Sequence, residues 1–255
     1  MAWGMFCWIP CPYKEWRMED RKAQVAMLPL VGALIGVVVC LCWWALSLVG
    51  CGSLLAGALL TGAYFLLTGF IHVDGFMDCS DAIMPRHPEM EERRRILKDP
   101  HAGAFAVICL AIMLIVFTGA MADIAEEFSI KSCSLLVVIF TASRTVSALE
   151  VIMRKPMKTS QYSQLDEPGR AIDTIPAIVI LVVVLGVCEL IMSDMSWWAL
   201  IAELYSNIIV LTVMVAAFIT CNIDCRKLGG MNGDISGHMI TISELFGVLA
   251  MALIL

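Results

Sequence analysis

The chain has 255 residues, of which 60% are hydrophobic and 16% charged, and its mean hydropathy is +0.86. Charged residues make up about 25% of ordinary soluble domains, so this composition excludes a soluble globular protein. No Asp, Glu, Lys, Arg or His occurs between Ala23 and Ile71, a stretch long enough to cross a hydrocarbon core about twice at roughly 20 residues per pass. The net charge of −6 gives no support to nucleic-acid binding.

Apolar runs that alternate with polar breaks predict an all-α, polytopic membrane bundle of about seven transmembrane helices. We find no linker or internal repeat, so residues 1–255 are expected to form a single catalytic domain. The predicted spans are residues 26–48, 54–71, 102–121, 132–153, 174–192, 197–219 and 237–255.

The basic residues are distributed unevenly between the two sides of this bundle. Fifteen of the 17 Lys and Arg residues lie in the N-terminal segment and in the loops after the second, fourth and sixth predicted spans. Because cytoplasmic loops retain Lys and Arg, we expect a multi-pass protein of the inner (plasma) membrane with its N-terminus and these loops in the cytoplasm. Membrane lipid is then an expected partner, and whether the chain forms a homo-oligomer stays open.

Four of the eleven cysteines invite comparison with a zinc site: Cys7, Cys11, Cys221 and Cys225. Zinc sites favour tighter, repeated C-x-x-C spacing, so the sequence does not predict one from these residues.

The segment after the second predicted span is rich in acid. It contains His72 followed by Asp74, Asp78 and Asp81, and this spacing would place the three carboxylates on one face of a helix. Carboxylates are hard ligands that suit Mg²⁺, Mn²⁺ or Ca²⁺, so Asp74, Asp78 and Asp81 are candidate metal ligands. The alternative is a solvated, capped loop whose acids merely mark the membrane interface.

A basic cluster follows in the same loop. Arg93, Arg94, Arg95 and Lys98 could grip the phosphate oxygens of a pyrophosphate substrate, since Arg forks match phosphate geometry. The alternative is that these charges are topology signals or lipid headgroup contacts.

A glycine-rich segment follows the sixth predicted span and leads into the last one. Gly229, Gly230, Gly233 and Gly237 alternate with polar residues that include Asp234. Such a segment allows the backbone to approach an anionic ligand at a helix N-terminus, although many glycine-rich segments are simple turns.

Two charges lie within the predicted spans near the cytoplasmic side, Arg144 and Glu244. Charges at such depth are costly unless they are paired or face a wet cavity. We expect Arg144 to face a substrate cavity, and an ion pair between Arg144 and a carboxylate such as Glu150 or Glu244 is the alternative.

Several separated motifs, taken together and in this order, resemble cobalamin synthase, the adenosylcobinamide-GDP ribazoletransferase family of integral membrane enzymes. The matching pieces are Leu28-Pro29-Leu30-Val31-Gly32, His72-x-Asp74-Gly75-x-x-Asp78-x-x-Asp81, Ile96-Leu97-Lys98-Asp99, Ser143-Arg144, Gly229-Gly230-x-x-Gly233-Asp234-x-x-Gly237 and Ser243-Glu244.

The resemblance implies a Mg²⁺-dependent transfer in which a ribose hydroxyl of α-ribazole or its 5′-phosphate attacks adenosylcobinamide-GDP and releases GMP. It implies that Asp74, Asp78 and Asp81 hold the metal and that His72 or one of these Asp residues accepts the hydroxyl proton. The residues assigned to substrate binding are Arg94, Arg95, Lys98, Arg144, Gly230, Gly233, Asp234 and Glu244.

Two other functions fit parts of the pattern. Another membrane phosphotransferase, similar to the CDP-alcohol phosphotransferases, could also place paired Asp motifs after a span. A transporter could carry buried charges and glycine-broken helices, but repeats and midplane sites would be expected and neither is evident.

Overall fold

The structure is a computed structural model that describes residues 4, 6–8, 21–157, 171–192 and 198–254, apart from the side chains of residues 21 and 198–203. Within these ranges the chain is helical, without a β-strand, which confirms the all-α prediction. The α-helices are α1 (Arg21–Ala26), α2 (Leu28–Leu48), α3 (Ser53–Leu67), α4 (Ile71–Ile83), α5 (Met90–Ile96), α6 (Ala104–Ile124), α7 (Ile130–Met153), α8 (Ile175–Met192), α9 (Trp198–Leu228) and α10 (Gly233–Ile254).

Six segments are long and apolar enough to cross a membrane, and this supports the predicted polytopic architecture. They are Lys22–Leu48, Ala104–Ile124, Ile130–Met153, Ala171–Met192, Leu204–Leu228 and Gly233–Ile254. Helices α3 and α4 pass the same test only together, bent by 91°, and would make a seventh span.

The second predicted span, residues 54–71, is wrong at its C-terminal end. Helix α3 stops at Leu67, and Gly69 and Phe70 adopt left-handed backbone angles, with φ of 60° and 61°. A left-handed residue ends a helix, so the polar sequence that follows starts a new one. The acid-rich segment is therefore helix α4 rather than a loop.

The predicted ends of the last two spans also need correction. Helix α9 continues to Leu228, so Asp224 lies on the helix and not in the loop expected after residue 219. Helix α10 begins at Gly233, so only Gly229 and Gly230, with φ of 80° and 150°, shape the turn between the two helices. Hydropathy ended the sixth span too early and began the seventh too late. The helical turns beyond each apolar run are polar, so they look like loop sequence.

Helix α7 lies at the centre of the bundle and packs against α2, α8, α9 and α10. Its contact with α2 is very close: a Cβ on Gly32 would lie 2.2 Å from the Phe140 carbonyl oxygen. Small residues at helix contacts are typical of membrane bundles, where close packing drives association.

The contact that positions the acidic residues is the one between α4 and α10. A Cβ on Gly75 would lie 2.7 Å from the Asp234 carbonyl oxygen, and a Cβ on Gly237 would lie 2.9 Å from the His72 carbonyl oxygen. Each glycine faces the backbone of the other helix, so neither helix can carry a larger residue there without moving apart.

This contact makes a stability prediction. We expect Gly75→Ala to lower the thermal stability of the detergent-solubilised protein, because the new methyl group meets backbone atoms that cannot rotate away. Gly119→Ala in α6 is the matched control, since nothing lies within 4 Å of a Cβ there. The control should be neutral or gain about 0.5–1 kcal/mol from the better helix propensity of Ala. Equal melting temperatures for the two variants would contradict the close contact.

Candidate active site at the α4 and α10 contact

Three carboxylates gather where α4 meets α10. Asp74 is exposed and Asp78 is half-buried on α4, and Asp234 is half-buried in the first turn of α10. The negative charges of Asp74, Asp234 and Asp81 all act on Asp78, and the charge of Asp74 acts on Asp234. Like charges at such range repel one another, so the cluster favours a bound cation.

Asp81 has a different role from its two neighbours. Its Oδ2 accepts a hydrogen bond from the Gly103 N–H at 2.5 Å, and its Oδ1 accepts one from the Ala106 N–H at 2.9 Å. It therefore caps the N-terminus of α6, which is the capped alternative weighed for the acidic residues of this segment. Asp234, predicted as a substrate-binding residue and by the resemblance also a candidate metal ligand, lies near enough to Asp78 for its charge to act on that carboxylate.

The predicted proton acceptor His72 is not open to a substrate in this structure. Its side chain is buried and its ring stacks on Phe6 at a centroid distance of 6.4 Å. The His72 carbonyl oxygen accepts a hydrogen bond from Thr241 Oγ1 at 3.2 Å, while Nε2 has no partner among the described residues. Asp74 and Asp78 are better placed to accept a proton.

Arg144 and Glu244 form an ion pair in the middle of the bundle, and both side chains are completely buried. Glu244 also accepts hydrogen bonds from Tyr64 OH and from Ser143 Oγ, the latter at 2.6 Å. The prediction that Arg144 faces a substrate cavity is therefore wrong for this structure, and the alternative pairing with Glu244 is the one observed. A buried Arg needs a counter-charge, and Glu244 supplies it from the neighbouring helix.

The side chains of the basic cluster are largely engaged within the protein. Arg94 donates to the Leu228 carbonyl from Nε at 2.7 Å and to the Gly229 carbonyl from Nη2 at 3.3 Å, at the C-terminal end of α9. Arg95 makes two hydrogen bonds to Glu92, at 2.9 and 2.7 Å, which lower the pKa of that carboxyl below its usual value. The forks predicted to hold phosphate thus bind carbonyls and a carboxylate.

A cavity of about 600 Å³ opens beside this cluster. Two of its cations, Lys98 and Lys155, are exposed and make no ion pair within the ranges that the structure describes. The cavity is lined by Glu91, Arg94, Arg95, Lys98, Lys155, Pro156, Met157 and Gly229. In the sequence, Lys155 counts only as a charge that indicates membrane orientation. A basic residue just after a span carries no further sign of a binding role.

The glycine-rich segment connects this cavity to the acidic cluster. Its backbone pairs with the segment that follows α7: the Met231 N–H donates to the Lys155 carbonyl at 3.0 Å, and the Met157 N–H donates to the Met231 carbonyl at 2.9 Å. Gly230, predicted to bind substrate, packs against Met157, and Gly233 is the first residue of α10. Gly229 borders the cavity and α10 begins four residues later, so one short turn links the cations to Asp234.

The same segment orients the Asp234 carboxylate. Asn232 accepts a hydrogen bond from the Ile235 N–H at 2.9 Å and donates to Asp234 Oδ2 at 2.5 Å. Asn is a preferred residue for capping a helix N-terminus, and here the cap also holds an acidic side chain.

The acidic donors fit a hard divalent cation. Asp74, Asp78 and Asp234 offer only carboxylate oxygens, which is the chemistry that Mg²⁺ prefers when it bridges a protein to phosphate.

Comparison with known proteins identifies the family of the chain. The family described as cobalamin-5-phosphate synthase matches residues 1–252. The chain belongs to this family. A relative from Clostridium perfringens (strain SM101 / Type A), named adenosylcobinamide-GDP ribazoletransferase, is 30% identical over 256 residues, which cover 100% of this chain and 96% of the relative.

Two further members of the cobalamin-5-phosphate synthase family carry the same name. The relative from Lachnoclostridium phytofermentans is 31% identical, with 99% of this chain and 92% of the relative covered. The relative from Pseudomonas fluorescens (strain SBW25) is 30% identical, with 92% and 90% covered. No solved structure matches the chain.

Mutation of the buried ion pair distinguishes a structural role of Arg144 from a substrate-binding role. We expect Arg144→Gln to destabilise the protein by about 3–5 kcal/mol, because Glu244 is left as an unpaired buried charge. The double variant Arg144→Gln with Glu244→Gln should recover most of this loss, as measured by thermal unfolding in detergent. Full stability of the single variant, combined with loss of activity in Arg144→Lys, would return Arg144 to a substrate-binding role.

Proposed function

We propose that this protein is a membrane transferase that joins adenosylcobinamide-GDP to α-ribazole or α-ribazole 5′-phosphate. The products are adenosylcobalamin or its 5′-phosphate, together with GMP. Family membership supports this proposal, as does the name that the relatives carry. The observation that carries it is that Gly229, which lines the cavity together with its cations, lies five residues before Asp234 of the acidic cluster.

The reaction replaces GMP on phosphorus by an alcohol, and the cobinamide side keeps its own ester bond. A ribose hydroxyl of α-ribazole attacks the phosphorus on the cobinamide side, the bond from that phosphorus to the bridging oxygen breaks, and GMP leaves with the bridging oxygen. The hydroxyl proton needs an acceptor within hydrogen-bond reach. Asp74 is exposed at the edge of the acidic cluster and serves this role in the proposal.

Asp74, Asp78 and Asp234 would hold Mg²⁺. When bound, the ion neutralises the charge that builds on the phosphoryl oxygens. The protein's own contribution is to fix the three carboxylates through the close contact of α4 with α10 and through the bond from Asn232 to Asp234.

In this proposal the cavity beside α5 binds the phosphate that leaves with GMP. Lys98 and Lys155 bring positive charge without a carboxylate partner among the described residues, so both are free to bind phosphate oxygens. Arg94 and Arg95 contribute to the walls and keep their internal hydrogen bonds.

In this proposal the active site lies on the cytoplasmic face of the inner membrane. The basic residues that line the cavity belong to the side that carries most of the Lys and Arg, which is the cytoplasmic side by the positive-inside tendency. Labelling of a single cysteine introduced at Arg86 with an impermeant reagent tests this orientation, and access from the external side alone would overturn it.

Asp78 and Asp81 should behave differently when each is replaced by Asn. In liposomes supplied with adenosylcobinamide-GDP, α-ribazole and Mg²⁺, Asp78→Asn should stop GMP formation while the protein remains folded. Asp81→Asn should keep measurable turnover and lose about 0.5–2 kcal/mol of stability, since it weakens a helix cap. GMP formation and thermal unfolding are the two measurements.

Near-normal turnover of Asp78→Asn at saturating Mg²⁺ would contradict the proposed metal site. Absence of GMP formation by the wild-type protein, with or without Mg²⁺, would overturn the transferase function itself, because a transporter releases no GMP.

Lys98 and Lys155 should contribute to the binding of adenosylcobinamide-GDP. Lys98→Gln and Lys155→Gln should each raise KM for adenosylcobinamide-GDP by about tenfold, since a hydrogen bond to a charged group contributes about 1.5–3 kcal/mol. Arg86→Gln removes an exposed positive charge that does not line the cavity, and it should leave KM unchanged. An unchanged KM in both lysine variants would place the nucleotide elsewhere.

A further inference from the structure

A second group of possible metal ligands consists of Cys79, Asp224 and His238. One ligand atom from each residue falls within 4.8 Å of the other two. The three side chains come from three helices, α4, α9 and α10. Cys79 and Asp224 are buried, and the His238 side chain is 15% exposed.

We propose that these three residues form a binding site for a borderline divalent transition-metal ion of the Zn²⁺ type. A thiolate, an imidazole and a carboxylate are the donors that Zn²⁺ takes in proteins. With metal–ligand bonds of about 2.0–2.3 Å, tetrahedral ligands lie roughly 3.3–3.8 Å apart, so small side-chain rotations would bring the three donors to the required separation. This donor set differs from the all-carboxylate set of Asp74, Asp78 and Asp234, which suits a hard cation.

The surroundings of Asp224 support a cation at this position. The carboxylate is 1% exposed and shares one hydrogen bond with His238 Nδ1, at 2.6 Å. A buried charge is costly unless it is paired or coordinates a metal ion, so a cation would be favourable at this position. The charges of Asp224, Asp234 and Asp78 also act on Cys79, so the site has a strongly negative environment.

The His238 ring has an aromatic neighbour that restricts its orientation. Its ring packs against Phe76 on α4 at a centroid distance of 5.4 Å. Metal-binding histidines are usually held in this way by neighbouring groups that set the orientation of the ring.

The proposed metal would bind the three helices together directly next to the acidic cluster, because Cys79 follows Asp78 in α4. With three protein ligands, the fourth position is left for water or another ligand, as in exchangeable rather than closed structural zinc sites. The neighbouring thiol Cys225 is not a member of the cluster. It contacts Cys221 Sγ at 3.8 Å and Met231 Sδ at 3.9 Å, and this makes Cys225 a matched control.

The test measures metal rather than turnover, so it is independent of the transferase proposal. The purified full-length protein is loaded with Zn²⁺, dialysed, and assayed for bound metal, and a parallel sample is loaded with Co²⁺ to detect thiolate coordination by absorption. Wild type, Cys225→Ser and Asp78→Asn should retain one equivalent of metal and the thiolate-to-cobalt band. Cys79→Ser should lose the band, and His238→Ala should lose at least tenfold in metal affinity.

Absence of a thiolate-to-cobalt band in the wild-type protein would overturn the site, whatever the behaviour of the variants. A band that disappears in Cys225→Ser but persists in Cys79→Ser would also overturn it, since the metal would then belong to the Cys221 and Cys225 pair. If Cys79→Ser does not fold, the wild-type band together with its response to His238→Ala decides the question.

Discussion

The active-site chemistry depends on the close contact between helices α4 and α10. Gly75 and Gly237 each face the backbone of the opposite helix, at distances that leave no room for a side chain. Because the two helices approach so closely, Asp234 from a distant part of the sequence joins Asp74 and Asp78. Packing in a membrane bundle fixes these backbone positions, so the like charges cannot move apart to relieve their repulsion.

A buried ion pair fixes the position of α10 along its own axis. Glu244 lies about 15 Å along α10 from Asp234, by the rise of an α-helix, and there it meets Arg144 of α7 and Tyr64 of α3. Hydrogen bonds to a buried charge are directional and costly to lose, so sliding α10 by one turn would leave several groups unpaired. The ion pair therefore sets the position of the helix whose first turn carries Asp234, although Arg144 itself does not contact the acidic cluster directly.

The sequence was informative about features contained within one helix. It predicted the apolar helices and the face shared by Asp74 and Asp78, since both follow from helical periodicity. It could not predict that Asp81 accepts its hydrogen bonds from the first turn of α6 or that the charge of Asp234 acts on Asp78, because those contacts join different helices. The break after Leu67 was missed for a different reason: hydropathy continues smoothly through residues 68–71, while the left-handed angles of Gly69 and Phe70 end the helix.

The basic residues illustrate why a charge cluster in a sequence does not identify the residues that bind substrate. The last carbonyls of α9 have no intrahelical partners and carry the negative end of the helix dipole, so they attract cations. Arg93 and Arg94 donate to two of these carbonyls, those of Lys227 and Leu228, and to the carbonyl of Gly229 just beyond them, and so hold α5 against the end of α9. That use of the arginines fixes one wall of the cavity, while Lys98 and Lys155, which also line it, make no ion pair among the described residues.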